Sequence, residues 1–385
     1  MLKHVTSFIL IVLIALSPIP AGAIKYKGDL EANESLTLPE QSAPPANPPS
    51  GKHKLYFKND GAPYSLDSSG NENPITGSGF KNYLINGGFR IWQRGTSFTT
   101  MDAYGADRWK HGSGGTATVS RQSFALGQTD VPGEPEFYWR NNTTVAGSAT
   151  ATVLRQRIED VRTLAGQTAT LSFWAKAGAA KTFQIVIQQV FGTGGTPSAD
   201  MIALNQAQSI GTAWTQYTYT VALPSISGKT LGTNNDDYLE ILIQETAGFS
   251  TFTLDTTQWQ LEKGSVSTEF EYRPIGVELL RARRYFRTVI VTAGGIGLNN
   301  LTTAQFVIRH EGMREAPSVT VSAPIEITNA QSANFVQSSA SISFIPNEKS
   351  SDGGRYEFGN FTGLTAGDDY LIVATGGKIN FDAEL

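Results

Sequence analysis

Histidines and paired acidic residues are the side chains of this sequence that have the chemistry for catalysis. None of the four histidines stands at metal-ligand spacing from another, and no His-Glu-x-x-His segment is present. A glycosidase needs two carboxylates held across one sugar, whereas the acidic pairs here lie in turn-rich stretches. These pairs are Glu134/Glu136, Asp236/Asp237 and Glu269/Glu271. The sequence therefore predicts a protein that is not an enzyme.

A sugar-binding surface is better supported by the residues than a catalytic centre. Sugars present an apolar face and a polar rim, which suit flat aromatic rings and planar Arg, Gln or Asn groups. Neighbouring residues of a strand point to different faces, so Trp174 is expected on the face that Phe173 does not occupy. Tyr138 and Trp139 likewise point to different faces, so one of the two is expected to be exposed. The candidate carbohydrate-binding residues are Trp174, Trp139, Arg155 and Arg157. Alternatively, these residues cover a sandwich face or form a contact between copies of the chain.

The composition predicts that such residues are carried by β-strands. The chain has 385 residues, of which 40% are hydrophobic and only 17% are charged, and it is rich in glycine. With many β-branched and aromatic residues between turn signals, this favours an all-β protein of two or three domains. The formal net charge of −4 provides no basic field, which argues against nucleic acid as a partner. Cysteine is absent, so disulfides and thiolate chemistry are excluded.

The N-terminal region differs from the rest of the chain. Residues 1–23 combine a short basic start, an apolar run over 8–16 and small residues at Ala21 and Ala23. This pattern predicts a signal peptide cleaved after Ala23, with a hydrophobic anchor as the alternative. Residues 24–50 end in QSAPPANPPS and are expected to be a proline-rich linker, and 51–79 are expected to form a small β-hairpin module.

Residues 80–274 are predicted to form a jelly-roll β-sandwich of eight or nine short strands. The stretch NGGFRIWQRG (86–95) is expected to be its first strand, with the aromatic residues partly in the core, and Trp259 is also expected in the core. Residues 275–287 are predicted to be a short linker helix, and residues 288–385 a smaller C-terminal β-domain. The apolar helix face would contain Leu279, Leu280, Tyr285 and Phe286.

Several segments together resemble bacteriophage and prophage tail-fibre-type proteins. The most specific is 252–286, in which Gln-Leu-Glu-x-Gly (260–264) is followed by Thr-x-Phe-Glu-x-Arg-Pro (268–274) and then by Arg284-Tyr285. The common cysteine of the last element is replaced here by Ala282. Further matches are NGGFRIWQRG, YGADRW (104–109), LSFWAKA (171–177), MREAPSVTVS (313–322) and the terminal DAEL. The resemblance covers most of residues 51–385.

The resemblance implies a galactose-binding-like jelly roll of the kind found in carbohydrate-binding modules, on fibres that are usually homotrimeric. The expected partners are host cell-surface polysaccharide and other virion tail proteins. Many such modules read Asn-Gly-x-Phe-Glu in the first strand, and the Glu helps to hold a structural calcium. Arg90 stands at that position here, so Asp255 is the single possible calcium ligand. Calcium is therefore a possible cofactor, and no cofactor is certain.

The function expected from these observations is host-carbohydrate binding by a tail-fibre or tail-tip protein located in the virion tail. The signal-like segment favours an alternative, a secreted or surface-anchored bacterial lectin-like protein. A structural virion spacer without a ligand is the other alternative. Residues 288–385 could also carry receptor recognition in place of the sandwich.

Overall fold

The computed structural model describes residues 40–58, 63–70, 72–74, 80–290, 298–299, 304–309, 312–321, 325–329, 332–339, 341–344, 350–351, 353–359, 370–373 and 378–385. The chain divides into two compact units, Met1–Gly79 and Phe80–Leu385. Within the described ranges, no helix has the length and apolar character needed to cross a membrane. The predicted signal peptide at 1–23 lies outside the described residues, as does most of the linker at 24–50.

The described residues of the first unit form a small four-stranded sheet. Its strands are β1 (Glu40–Gln41), β2 (Lys54–Lys58), β3 (Pro63–Leu66) and β4 (Glu72–Pro74), and they are ordered β1-β2-β3-β4. Strands β2 and β3 pair antiparallel, as predicted for the hairpin, and β4 extends the sheet. Tyr56, Tyr64 and Leu66 are buried and form its small core.

The second unit is built on a β-sandwich of two six-stranded sheets. Its strands are β5 (Ser97–Phe98), β6 (Ala103–Tyr104), β7 (Lys110–His111), β8 (Thr116–Ser123), β9 (Phe137–Val145), β10 (Ala151–Glu159), β11 (Thr168–Ala177), β12 (Lys181–Val190), β13 (Met201–Ile210), β14 (Thr215–Ala222), β15 (Tyr238–Glu245) and β16 (Phe252–Lys263). The front sheet has the order β14-β11-β16-β9-β8-β5, and the back sheet has the order β13-β12-β15-β10-β7-β6. The predicted all-β jelly-roll sandwich is therefore confirmed.

The core lies between the two sheets because alternate residues of each strand point inward. Trp109, Trp139 and Trp259 are essentially inaccessible to solvent. Phe173 stacks on Trp259 with ring centroids 4.0 Å apart and an interplanar angle of 6°. The position predicted for Trp259 is thus confirmed. Burial of aromatic side chains of this size supplies much of the hydrophobic free energy of such a sandwich.

The stretch NGGFRIWQRG is not the first strand, which corrects the sequence-based expectation. It forms turns, with Asn86 and Phe89 at φ of 58° and 52°. The Asn86 side chain bonds the backbone N–H and C=O of Ile91, which closes the loop on itself. A Cβ on Gly87 would stand 2.0 Å from the Trp259 carbonyl oxygen, so this close approach needs glycine. Phe89 is nevertheless buried in the core, as expected.

Strand β13 was not predicted from the sequence. Its residues, MIALNQAQSI, include two glutamines and an asparagine, and most of its side chains are exposed or half-exposed. It pairs with β12 at the edge of the back sheet. An edge strand that packs few side chains into the core has no need of alternating apolar residues, so its sequence carries no strong strand signal.

Helix α1 runs from Ile275 to Arg283 and is shorter than predicted. It packs onto the segment before β5, because Ala282 and the following Tyr285 are buried with Ile85 and Ile91. Leu280 is 70% exposed, so its assignment to the apolar face was wrong. In a nine-residue helix this docked face is narrow, and Leu280 falls outside it.

The described residues after α1 also form β-strands. Its strands are β17 (Phe286–Ile290), β18 (Leu298–Asn299), β19 (Ala304–Arg309), β20 (Ser318–Val321), β21 (Ile325–Asn329), β22 (Ser332–Ser339), β23 (Ser341–Phe344), β24 (Gly353–Gly359), β25 (Tyr370–Val373) and β26 (Lys378–Asp382). They form sheets ordered β17-β26-β20, β18-β19-β24-β23 and β22-β21-β25. The β-character predicted for 288–385 is confirmed, and these strands belong to the same compact unit as the sandwich.

Candidate functional site

The sequence-predicted site residues do not meet at one place. Trp174 lies on β11 of the front sheet, whereas Arg155 and Arg157 lie on β10 of the back sheet. Their side chains alternate with buried residues of the same strands and therefore point away from the core, on opposite outer faces of the sandwich. One sugar cannot contact both surfaces at once, so the four residues do not form a single site.

The two predicted arginines are engaged in ion pairs on the back sheet. Arg157 Nε lies 3.0 Å from Glu240 Oε1, and its guanidinium stands 4.3 Å from the centroid of the Tyr238 ring. Arg155 contacts the same carboxylate at 3.7 Å and Asp102 at 3.4 Å. Lys110 lies 2.9 Å from Asp102 as well, so three cations share two carboxylates in this network and both arginines are held by ion pairs.

The prediction that Trp139 stacks on a sugar is wrong. Its side chain is fully inaccessible and belongs to the main core cluster. The alternation along β9 directs residues 139, 141 and 143 inward and Tyr138 outward. The sequence allowed either of the two aromatic residues to be exposed, and the packing of the two sheets selects Tyr138.

Asp255 does not fit a calcium site. Its two carboxylate oxygens accept hydrogen bonds from Arg140 Nε at 2.7 Å and Arg140 Nη2 at 2.8 Å. Lys176 Nζ lies 3.9 Å from the same carboxylate. Two cations already occupy the position that a divalent ion would need, and the described residues contain no group of three His, Cys, Asp or Glu side chains that could hold a metal.

Trp174 lies in a groove on the outer face of the front sheet, hereafter the Trp174 groove. The groove has a volume of about 450 Å³. Its lining combines aromatic rings with amide, hydroxyl and carboxylate groups. The residues that line it are Pro132, Gly133, Trp174, Gln216, Gln258, Ser267, Thr268, Glu269, Phe270 and Tyr272. Apolar rings with polar groups at their edges are the surface that a sugar ring requires.

The floor of the groove is set by three neighbouring strands. Trp174 on β11 is directly opposite Gln216 on β14 and Thr257 on β16. The register between β11 and β16 shifts by a bulge at this point, and Gln258 adopts a φ of 53°. A bulge changes the direction of a side chain relative to regular pleating. Here it lets the buried Gln258 reach the groove wall.

Gln258 positions Tyr272, which forms part of the opposite wall. Gln258 Nε2 donates to the Tyr272 hydroxyl at 2.8 Å and to the Pro132 carbonyl at 2.7 Å. Phe270 meets Tyr272 edge to face with centroids 5.0 Å apart. Partial burial raises the pKa of Tyr272, so the hydroxyl stays protonated at neutral pH. Because the hydroxyl accepts from Gln258, its own proton is available to a ligand.

The wall from Thr268 to Tyr272 is held by polar residues at the end of β16 and in the segment that follows it, residues 260–274, hereafter the clasp. Gln260 Oε1 accepts from the Glu271 N–H at 2.9 Å, and Glu262 Oε1 accepts from the Thr268 N–H at 2.9 Å. Glu271 in turn accepts from the N–H groups of Lys81 at 3.0 Å and Asn82 at 3.1 Å. The residues Gln260, Glu262, Thr268 and Glu271 are therefore engaged in structural hydrogen bonds.

Of the residues that line the groove, only Trp174 is predicted as a site residue from the sequence, and the others include Gln216, Gln258, Phe270 and Tyr272. Phe270 and Tyr272 were read only as parts of a recurring segment. The sequence feature that could have indicated these two residues is their position: they are aromatic residues, at 270 and 272, in a polar segment directly after a strand. Gln216 and Gln258 gave no signal, because their role depends on strand pairing and on a bulge.

Comparison with known proteins found no family model and no curated protein that matches the chain. Solved structures with a similar fold were found. The N-terminal cellulose-binding domain of Cellulomonas fimi β-1,4-glucanase C is 20% identical, with 45% of this chain and 97% of that one covered and a TM-score of 0.29. A family 11 carbohydrate-binding module of Clostridium thermocellum, solved with a mixed-linked tetrasaccharide, is 13% identical, with 45% and 98% covered and a TM-score of 0.27.

A phage protein is also among the similar structures. The enzymatically active domain of bacteriophage CBA120 tailspike protein 4 is 14% identical, with 48% of this chain and 21% of that chain covered and a TM-score of 0.29. Similarity at this level assigns no function to the present chain. The functional argument therefore rests on the residues of the Trp174 groove.

Proposed function

We propose that this protein binds carbohydrate without catalysing a reaction and that the Trp174 groove holds the sugar. The observation that carries the proposal is the pairing of Trp174 with Tyr272 across a groove of about 450 Å³ that also contains Gln216 and Gln258. An aromatic face binds the apolar side of a pyranose, while amides and a phenol hydroxyl bind its ring hydroxyls. Glu269 is the one carboxylate among the residues that line the groove, so the groove does not hold two carboxylates across a sugar.

The biological setting that we propose is a phage tail fibre or tail tip, where the sandwich attaches the virion to host-surface polysaccharide. The sequence segments at 86–95, 104–109 and 252–286 support this setting. In such a fibre the chain is expected to be a homotrimer in contact with other tail proteins. The molar mass of the purified full chain, from light scattering, tests the oligomeric state.

A secreted or surface-anchored lectin-like protein is the second candidate, and the signal-like residues 1–23 favour it. The Trp174 groove would serve the same purpose in either setting. N-terminal sequencing of the protein from its native source separates the two settings. Processing after Ala23 supports the secreted protein, and an intact Met1 in purified particles supports the virion protein.

The binding experiment measures affinity of the full chain for envelope polysaccharides by calorimetry, with Trp174→Ala and Tyr272→Ala as variants. Each variant removes one aromatic ring of the groove, so the affinity is expected to fall about tenfold or more, which corresponds to about 1.4 kcal/mol. Both variants are expected to fold, because Tyr272 is 43% exposed and Trp174 lies on the outer face of the sheet.

Tyr238→Ala is the matched control, since it removes a partly exposed aromatic ring from the back sheet. The Tyr238→Ala variant is expected to bind polysaccharide with the affinity of the wild type. Binding that both groove variants retain would move the site elsewhere, first to residues 288–385. A folded wild-type protein that binds none of the polysaccharides would leave the structural spacer as the function.

A further inference from the structure

Next to the Trp174 groove, the front sheet carries a second group of aromatic residues, hereafter the aromatic triad, formed by Phe124, Tyr138 and Trp214. Their ring centroids lie 4.8, 5.3 and 5.4 Å apart. The three rings come from three places in the chain, after β8, on β9 and before β14, and all three are partly exposed. Aromatic side chains that are brought together from separate elements and left open to solvent form a ready surface for a ligand.

The aromatic triad continues the Trp174 groove along the strands. Trp214 stands two residues before Gln216 of the groove, and Lys176 stands two residues after Trp174. Residues two apart on a strand share a face and are separated by about 7 Å. Lys176 Nζ lies 5.2 Å from the centroid of the Trp214 ring. A chain of sugars that occupies the groove would therefore reach the triad with a neighbouring unit.

Beside the aromatic triad, two cations share one carboxylate. Arg140 binds Asp255 through both carboxylate oxygens, and Lys176 lies 3.9 Å from the second of them. The Asp255 side chain is only 2% exposed, whereas those of Arg140 and Lys176 are 33% and 32% exposed. The negative charge is thus covered and the two positive charges face solvent, so this trio carries one excess positive charge on the sheet surface.

We infer that the aromatic triad and Lys176 form a second sugar subsite that takes a carboxylate-bearing unit, such as a uronic acid. This inference rests on the proposed carbohydrate binding. The Trp214 ring would contact the apolar side of the sugar, and Tyr138, whose ring stands at 81° to it, would close one side of the subsite. The Lys176 ammonium would pair with the carboxylate of the sugar. The positive charge is local, because the whole chain has a formal net charge of −4. Selection for an acidic unit therefore comes from this patch.

The test compares uronic-acid oligosaccharides with their methyl esters, which keep the ring and lose the charge. Affinities are measured for the full chain at low and at moderate ionic strength. The wild type is expected to prefer the acid over the ester by about fivefold, which is the upper range for an exposed ion pair. The preference is expected to shrink as salt is added, because exposed charges are screened.

Lys176→Met removes the charge and keeps an apolar stem over Trp214. This variant is expected to bind acid and ester equally, at the wild-type affinity for the ester. Lys229→Met is the matched control, since it removes the same charge from an exposed lysine in the loop between β14 and β15, and it is expected to keep the preference. Trp214→Ala is expected to weaken binding of both sugars.

Equal affinity of the wild type for acid and ester, or a preference that persists in Lys176→Met, would overturn this inference and leave the proposed function intact. Failure of the wild type to bind either sugar would overturn the proposed function together with the inference. Self-association of the ligand-free chain that Lys176→Met abolishes would assign the patch to a second copy of the chain and would also overturn the inference.

Discussion

At the scale of single residues, Gln258 shows how the fold creates a site from a residue with no obvious function. It is buried, it adopts a φ of 53°, and both hydrogen bonds of its amide nitrogen serve the groove wall. A left-handed conformation costs a non-glycine residue about 1 kcal/mol or more. The surrounding structure holds it there, and the result is a fixed Tyr272 hydroxyl that faces the groove.

A buried histidine provides a prediction about pH. His111 is inaccessible to solvent, its Nε2 donates to the Thr100 carbonyl at 3.1 Å, and burial lowers its pKa to about 4 from 6.5. Between these values the unfolded chain binds more protons than the folded one, so the free energy of unfolding falls as the pH drops. The loss contributed by His111 reaches about 3 kcal/mol between pH 7 and pH 4.

The measurement is urea denaturation of the wild type and His111→Gln across this pH range. The stability difference between the two proteins is expected to shrink as the pH falls. The comparison with the variant is needed because the titration of Asp107 changes the free energy of unfolding in the opposite direction. Burial raises the pKa of Asp107 to about 6 from 3.8. Its contribution to stability is present below about pH 4 and is lost as the pH rises to about 6. A constant difference from pH 4 to pH 7 would contradict the role given to His111.

At the scale of elements, the clasp is centred on one buried arginine that follows the last strand of the sandwich. Arg273 is buried and donates to the Leu84 carbonyl at 3.0 Å, and it pairs with Glu271 and Glu278, each at 2.9 Å. Glu278 belongs to α1, and its other carboxylate oxygen accepts from the Asn86 N–H. The clasp thus joins the start of the sandwich, the end of β16 and the helix.

Replacing Arg273 with Met is expected to destabilise the fold by about 3–5 kcal/mol, because two carboxylates that are largely buried lose their cation. Arg162→Met is the matched control, since Arg162 pairs with Asp160 while its side chain is 60% exposed. That change is expected to cost about 1 kcal/mol or less. Thermal and urea unfolding of the full chain measure both values, and similar losses in the two variants would argue against a structural clasp.

At the scale of the whole molecule, the last described residues return to the sandwich and join it to the C-terminal strands. Glu384 pairs with the buried Arg108 and lies 3.3 Å from Arg94. The Tyr104 hydroxyl donates to the Leu385 carbonyl at 2.7 Å. Strand β26 pairs with both β17 and β20. The sandwich and the strands around β26 are therefore expected to unfold together.

A double-mutant cycle tests this coupling. Glu384→Met leaves the fully buried Arg108 with an unpaired charge and is expected to cost about 3–5 kcal/mol. Adding Arg108→Met removes that charge, so the double variant is expected to be more stable than Glu384→Met alone. Calorimetry of the full chain should show the shift in the same transition that unfolds the sandwich. Additive losses in the double variant, or a separate transition for the terminal strands, would contradict the coupling.

The sequence by itself determined the fold class and most strands of the sandwich. Segment 168–177 alternates clearly, and segments 151–159 and 238–245 are short runs rich in aliphatic residues; strands occupy all three. Alternation is a local property, set by the two-residue period of a strand, so it can be read from neighbours in the chain. The burial of Trp259, in phase with Leu261 on β16, follows from the same local pattern, whereas Phe89 is buried from a turn.

Only the tertiary structure decided which residues share a site. Strand β11 pairs with β14 and β16, far away in the chain, and this pairing brings Trp174 together with Gln216 and Tyr272 and separates it from Arg155. The choice between Tyr138 and Trp139 was likewise made by which side of β9 meets the back sheet. Strand order and facing depend on contacts between distant segments, and local alternation carries no information about them.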